Sequence, residues 1–203
     1  QIVNSKTKVI SINGQQRELY NTNELLRNLN GINGVKTGFT NQAGRCLVCS
    51  CLRDNMNIIS VVLGADTKKD RTKDSIKIIE YAYENYELIN LKKKIEEEFF
   101  NWERNYQTTI QKGEKQQIKI ELQEIPIEYY AIKKGTEDRV KIEVMANASF
   151  EAPVEKGKQV GTLIAKVEDE IVCELSITTS EEVKKKDTWQ YFTQILTQIK
   201  ENH

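Results

Sequence analysis

The chain has 203 residues, of which 38% are hydrophobic and 30% are charged, and its formal net charge at pH 7 is zero. This composition excludes an intrinsically disordered chain, and the lack of a basic excess argues against a nucleic-acid-binding protein. No apolar run reaches the roughly 18 residues that a membrane-spanning helix needs, so no such helix is expected.

The N-terminus carries no targeting signal. The sequence opens at Gln1 within a polar, strand-like stretch and without an initiator methionine. We therefore expect a fragment or a processed form, with any signal peptide upstream.

A β-hairpin is predicted first. Residues 7–12 and 15–20 flank Asn13-Gly14, which favours a type I′ turn because both central residues of that turn need positive φ. The polar residues 21–23 then offer N-caps for a short, leucine-rich helix.

Two apolar runs, 45–52 and 58–63, are predicted to be strands joined by a hairpin turn at residues 53–55. Because both runs are continuously apolar, we expect strands that are covered on both faces. Tight turns are expected before them at residues 30–31 and 33–34, where asparagine precedes glycine.

A helix is predicted after Asp66-Thr67. Its apolar residues recur every three or four positions and form one stripe, which indicates core packing: Ile76, Ile79, Tyr83 and Tyr86. Residues 1–88 are therefore assigned to one layer, an antiparallel sheet with a helix laid on it.

The pattern changes near residue 90. Residues 91–98 suit either a charged helix or an exposed strand. Short runs of alternating apolar and polar residues follow, which is typical of a small all-β sandwich or barrel. We predict an all-β domain over residues 92–183, and an α+β class for the chain as a whole.

Residues 187–203 are predicted to form an amphipathic helix. A basic run precedes it, Asp187-Thr188 can cap it, and one face carries Trp189, Phe192, Leu196 and Ile199. Such a helix could bring residues 188–203 onto a membrane surface, or it could pack on its own domain or on a neighbouring chain. The sequence leaves both interpretations open.

No metal or cofactor site is expected. Cys46, Cys49 and Cys51 share one strand that points Cys46 away from the other two, so buried free thiols are favoured over zinc ligands. The only histidine is the last residue, His203, which argues against Ser-His-Asp and Cys-His mechanisms and against a histidine-built zinc site.

The motif with the most chemical content is Lys36-Thr37-Gly38. It follows a glycine-rich turn and opens an edge-like strand, whose glycine lets another molecule's backbone approach closely. A bare triplet is weak evidence, so its surroundings decide how much it means.

Those surroundings resemble one family. They are similar to the D-alanyl-D-alanine carboxypeptidases of peptidase family S11, the low-molecular-mass penicillin-binding proteins. The similarity covers the run 31–44, the apolar residues 47–48, the run 61–65 and Asp70-Arg71. The run 152–162 is similar to the C-terminal domain of that family. The resemblance implies a partial penicillin-binding or β-lactamase-like sheet with a helix, followed by the all-β domain.

The resemblance also implies roles in a catalytic cleft, of which Lys36, Thr37 and Gly38 would form one wall. Lys36 would supply positive charge and help to shuttle a proton, and Thr37 would hydrogen-bond the substrate's terminal carboxylate. The backbone N–H of Phe39 would be one oxyanion donor. Arg71 would pair with the same carboxylate through its forked guanidinium.

The family's nucleophile motif, Ser-x-x-Lys, has no convincing counterpart. Ser5-Lys-Thr-Lys8 matches it literally but lies in a polar hairpin arm close to Lys36, whereas the family places its serine on a buried helix far upstream. We therefore expect the nucleophile to lie upstream or to be absent. The chain alone should be inactive, and β-lactams should acylate only a full-length enzyme.

The predicted function is that of a peptidoglycan D-Ala-D-Ala carboxypeptidase on the cell-wall side of the cytoplasmic membrane. Its substrate would be a pentapeptide that ends in D-Ala-D-Ala. The alternative is a catalytically dead module that binds peptidoglycan or a partner protein. A partial sheet leaves one face to be covered, and dimerisation is one way to do so.

Overall fold

The computed structural model describes residues 2–190 and 192–193. The chain divides into a first compact unit that ends at Leu88 and a second that begins at Ile89. The α+β class predicted from the sequence is confirmed, since helices and strands alternate in the first unit and strands dominate the second.

The first unit opens with a 3-10 turn, Ile2–Asn4, and an exposed antiparallel hairpin of β1 (Thr7–Ile12) and β2 (Gln15–Tyr20). Asn13 and Gly14 at its tip have φ of 51° and 79°. Positive φ at both positions confirms the turn that the sequence predicted.

The remaining elements of the first unit form a sheet with one long helix on it. They are α1 (Leu25–Asn28), β3 (Ile32–Thr40), β4 (Gly44–Arg53), β5 (Met56–Ala65) and α2 (Lys68–Asn85). The sheet is antiparallel in the order β3-β4-β5. Thr67 caps α2 by accepting a hydrogen bond from the backbone N–H of Asp70.

The core of this unit lies between α2 and one face of the sheet. Leu47, Cys49 and Cys51 project from β4 onto Ile79 of α2, and all four are at most 1% exposed. Leu25 of α1 closes the same cluster. The strand alternation thus places the apolar residues of β4 on the face that the helical stripe covers.

Side-chain hydrogen bonds and a cation–π contact join the end of the β4–β5 hairpin to α2. Arg53 donates to both carboxylate oxygens of Glu80 at 2.9 and 2.7 Å, and its guanidinium lies over the ring of Tyr83. The hydrogen bond from Arg53 lowers the pKa of Glu80 below its ordinary value. Tyr83 donates its hydroxyl to the carbonyls of Cys51 and Met56, and its burial raises its pKa to about 12.

Two expectations for this unit are wrong. Residues 33–34 do not form a turn but lie inside β3, where the pairing with β4 shifts register between Ile32 and Gly34. Within the described residues the strands are also not covered on both faces, because Ile59, Val61 and Leu63 of β5 are 66%, 53% and 70% exposed. A continuous apolar run does not reveal whether a second layer is present.

β6 (Tyr86–Asn90) includes the last residues of the first unit and the first residues of the second. It is followed by α3 (Leu91–Glu103), so the segment 91–98, which the sequence left open between helix and strand, is helical. Its strands are β7 (Thr109–Gln111), β8 (Ile120–Leu122), β9 (Tyr129–Lys133), β10 (Val140–Ala146), β11 (Ser149–Glu151), β12 (Gln159–Val167) and β13 (Glu170–Thr179). A further 3-10 turn spans Glu137–Arg139.

Four of these strands form an antiparallel sheet in the order β10-β12-β13-β8, and β7 pairs with β11 in parallel. The core of the second unit combines Leu91, Ile95 and Phe99 of α3 with inward-facing residues of the strands, such as Leu163 and Leu175. Alternation buries every second side chain from Leu163 onward in β12 and from Cys173 onward in β13, as the sequence pattern predicts.

The C-terminal segment is described only in part. Residues 188–190 and 192–193 are helical, and the backbone N–H of Gln190 donates to the Asp187 carboxylate, so the predicted cap is present. Trp189 and Phe192 are 70% and 52% exposed. Leu196 and Ile199 lie outside the described residues. Within the described part of the chain, no helix has both the length and the hydropathy needed to cross a membrane.

The cysteines are free thiols, of which Cys49, Cys51 and Cys173 are buried and Cys46 is half-buried. Burial raises the pKa of the Cys49 and Cys173 thiols above the ordinary value. These thiols therefore pack as small apolar side chains, as expected from their place in apolar strands.

Candidate active site

The Lys-Thr-Gly triplet lies in β3, which is an edge strand of the sheet in the first unit. Thr37 pairs with Leu47 and Gly38 pairs with Cys46 of β4. An edge strand pairs only one of its two sides, so alternate backbone N–H and C=O groups of β3 point away from the sheet. Such an edge can hydrogen-bond an extended peptide.

Alternation along β3 sends Lys36 and Thr37 to opposite faces of the sheet. Thr37 lies opposite Leu47, on the face that α2 covers, whereas Lys36 lies opposite Val48, on the face where β5 exposes its apolar side chains. The Lys36 ammonium donates to the carbonyl of Thr37.

An open cavity of about 350 Å³ brings together most of the residues proposed from the sequence. Thr37, Gly38 and Phe39 line it from β3, and Arg71 lines it from the first turns of α2. Lys36 is not among its lining residues. The structure therefore separates the triplet's lysine from the surface on which Thr37 and Arg71 meet.

Arg71 is only 4% exposed, which is unusual for an arginine. Its Nε is buried and has no hydrogen-bond partner among the described residues. Burying an unpaired guanidinium donor is costly, and an anion in the cavity would offset part of that cost by neutralising the charge of the guanidinium. The N-terminal end of a long helix adds further positive potential at this point.

The rest of the cavity is also positively charged. Arg27, Arg45 and Lys68 line it together with a single carboxylate, that of Glu24. The Arg45 guanidinium lies 4.4 Å from the ring centroid of Phe39, which holds it beside the edge strand. This arrangement suits an anionic ligand with an extended backbone.

Sequence reasoning did not propose the charged residues other than Arg71 that line the cavity, and it also missed Thr22, which contacts a proposed site residue directly. Its hydroxyl oxygen lies 2.6 Å from the hydroxyl oxygen of Thr37, and it lines the same cavity. The triplet Asn21-Thr22-Asn23 was interpreted only as helix-capping residues. A helix needs only one N-cap residue, whereas three polar residues stand here in succession. This excess of polar residues was the available sequence signal that one of them has a further role.

Side chains of the kinds that bind metal ions do not form a metal-binding cluster within the described residues. Over residues 2–190 and 192–193, no group of three or more His, Cys, Asp and Glu side chains could hold a metal ion. The cavity itself offers hydroxyl, guanidinium and backbone N–H groups, which are donors that an anion can accept from.

Two family models match the sequence. Residues 1–67 match the model described as D-alanyl-D-alanine carboxypeptidase. Residues 86–185 match the model described as penicillin-binding protein 5, C-terminal domain.

Curated proteins with similar sequences carry matching descriptions. The D-alanyl-D-alanine carboxypeptidase DacF of Bacillus subtilis is 33% identical over 167 residues, which cover 82% of this chain and 41% of that protein. The D-alanyl-D-alanine carboxypeptidase DacA of Escherichia coli is 26% identical over 196 residues, which cover 96% of this chain and 45% of that protein. The chain thus spans less than half the length of these relatives.

Solved structures agree in fold. The D-alanyl-D-alanine carboxypeptidase DacD from Francisella tularensis superposes with a TM-score of 0.55 and 27% identity, covering 85% of this chain and 41% of that one. Penicillin-binding protein 5 from Haemophilus influenzae gives a TM-score of 0.59 at 24% identity, covering 91% of this chain and 51% of that one.

Proposed function

The chain belongs to the D-alanyl-D-alanine carboxypeptidase family, and we propose that its first unit supplies the carboxylate-binding wall of such an enzyme's active site. The observation that carries this proposal is the buried Arg71, whose side chain lines the cavity that Thr37 also lines and whose buried Nε has no partner among the described residues. The substrate is a peptidoglycan peptide that ends in D-Ala-D-Ala with a free carboxylate.

In this proposal the peptide lies along the edge of β3, where unpaired backbone groups can hydrogen-bond it. Its terminal carboxylate accepts from the Thr37 hydroxyl and from the Arg71 guanidinium, which positions the peptide bond before it. The absence of a side chain at Gly38 permits a close approach, and the N–H of Phe39 donates to the oxygen that becomes negative in the transition state.

Lys36 acts on the other face of the sheet. That face carries the exposed Ile59, Val61 and Leu63, and a second polypeptide layer would bury them. We propose that this layer, either joined to the chain or on a separate molecule, brings a nucleophilic serine beside the Lys36 ammonium. Lys36 then stabilises the developing charge and helps to transfer the proton.

The proposed organisation follows from this role. Residues 1–88 are part of a catalytic domain and residues 92–183 form the C-terminal domain. The tail helix predicted over residues 187–203 includes Trp189 and Phe192, whose exposure suits a membrane surface. Because peptidoglycan lies outside the cytoplasmic membrane, the site works there. A second copy of the chain is another candidate cover for the open sheet face.

The carboxylate site can be tested by NMR titration of the ¹⁵N-labelled chain with an acetylated peptide that ends in D-Ala-D-Ala. We expect the peak shifts to centre on Thr37 to Phe39. The same peptide with a C-terminal carboxamide should bind about 10- to 100-fold more weakly, since it loses charge-assisted hydrogen bonds.

Arg71→Met should remove this preference for the free carboxylate. The matched control is Arg17→Met, which alters an exposed arginine of β2 outside the cavity and should bind like the wild type. Equal affinity of the wild-type chain for acid and amide would refute the proposed site.

A second test concerns the nucleophile. The chain alone should give no covalent band with a fluorescent penicillin, and only an enzyme with the complementary layer should be labelled. A stoichiometric adduct on Ser5 would show instead that the hairpin arm carries the nucleophile.

A further inference from the structure

Thr22 and Thr37 are 15 positions apart in the sequence, and their hydroxyl oxygens approach to 2.6 Å. Either oxygen can be the donor in this hydrogen bond. Each hydroxyl carries one proton and two acceptor lone pairs. Which of the two donates therefore decides where the Thr37 proton points.

A bound carboxylate determines which of the two threonine hydroxyls donates to the other. An ionised carboxylate only accepts hydrogen bonds, so Thr37 can bind it only by donating its single proton to it. The Thr37 oxygen must then accept the proton of Thr22. The reverse orientation, in which Thr37 donates to Thr22, would turn a lone pair of Thr37 towards the ligand and repel it.

The backbone around Thr22 is held firmly by its two neighbours. Asn21 donates its side-chain amide to the carbonyls of Val3 and Ser5 and accepts from the N–H of Asn23. Asn23 is 1% exposed and donates to the carbonyl of Gly34 in β3. These contacts fix Thr22 against the edge strand at the level of Thr37.

We propose that Thr22 is a positioning residue that directs the Thr37 hydroxyl proton at the substrate's terminal carboxylate. This inference rests on the proposed function, because it needs Thr37 to be a carboxylate ligand. Thr22 acts through Thr37 and not by its own contact with the reacting bond. Its hydroxyl, and not its methyl group, is the part that matters.

The test is a double-mutant cycle on the full chain, with Kd for the acetylated D-Ala-D-Ala peptide measured by NMR titration. Thr22→Val removes the hydroxyl with little change in volume and should raise Kd about 3- to 10-fold, as loss of one hydrogen bond does. Thr22→Ser keeps the hydroxyl and should bind within about twofold of the wild type. In a Thr37→Val background, Thr22→Val should change Kd no further.

Two outcomes would overturn the inference while the proposed function stands. One is a Thr22→Val chain that binds as tightly as the wild type. The other is an equal loss with and without the Thr37 hydroxyl, which would show that Thr22 does not act through Thr37. Failure of the proposed function is recognised separately, since the unmutated chain would then not distinguish the free carboxylate from the amide, and the inference would fall with it.

Discussion

Replacing Arg71 with methionine should make the first unit more stable while it removes the proposed carboxylate site. Arg71 is 4% exposed, and its buried Nε lacks a hydrogen-bond partner among the described residues. A buried, unsatisfied donor costs about 1–3 kcal/mol, and methionine fills a similar volume without that donor or its charge. We therefore expect the free energy of unfolding of this unit to rise by about 1–3 kcal/mol.

Native-state amide hydrogen exchange is the suitable assay, because both tryptophans, Trp102 and Trp189, lie in the second unit and report nothing on the first. The slowest amides of β4 measure the opening of the sheet that carries the site. Arg17→Met is the control and should change the unfolding free energy by less than about 0.5 kcal/mol, since Arg17 is exposed.

The reasoning would be refuted if Arg71→Met destabilised the β4 amides relative to the control. That result would mean that the guanidinium is already satisfied within the folded chain. Removing a buried arginine that holds the fold together lowers the free energy of unfolding, whereas removing one that is kept for a ligand raises it. The sign of the change therefore separates the two roles.

Two further predictions concern other charged groups. Lys36→Ala, made in a longer enzyme that contains the complementary layer, should lower kcat by orders of magnitude with modest loss of peptide binding; near-normal turnover would contradict its role. The pKa of Glu80 is lowered because its carboxylate accepts hydrogen bonds from Arg53. The ionised carboxylate therefore stabilises the folded state above the ordinary pKa of 4.5, and this stabilisation is lost as the pH falls through the lower pKa that Glu80 has in the folded state. Glu80→Gln should therefore cost at most about 1 kcal/mol at neutral pH, and this difference from the wild type should vanish in acid urea titrations; a difference that persists in acid would show that packing, not charge, is lost.

Local chemistry made much of the fold predictable. The hairpin tip depends on the positive φ that Asn13 and Gly14 tolerate, and the start of α2 depends on the capping hydroxyl of Thr67, so short sequence windows contain the required information. The interruption at residues 33–34 was not predictable, because an Asn-Gly pair suits a turn and an irregular strand equally well, and pairing with β4 decides between them.

The site divides in the same way. The sequence by itself contains the Lys-Thr-Gly motif, and the resemblance of its surroundings to one family indicated Arg71 as a candidate partner. Only the tertiary structure decided that Arg71 is buried, that α2 covers the face of the sheet on which Thr37 lies, and that Thr22 contacts Thr37. Burial and contact between distant residues depend on how β3, β4 and α2 pack together, and no short window of sequence encodes that packing.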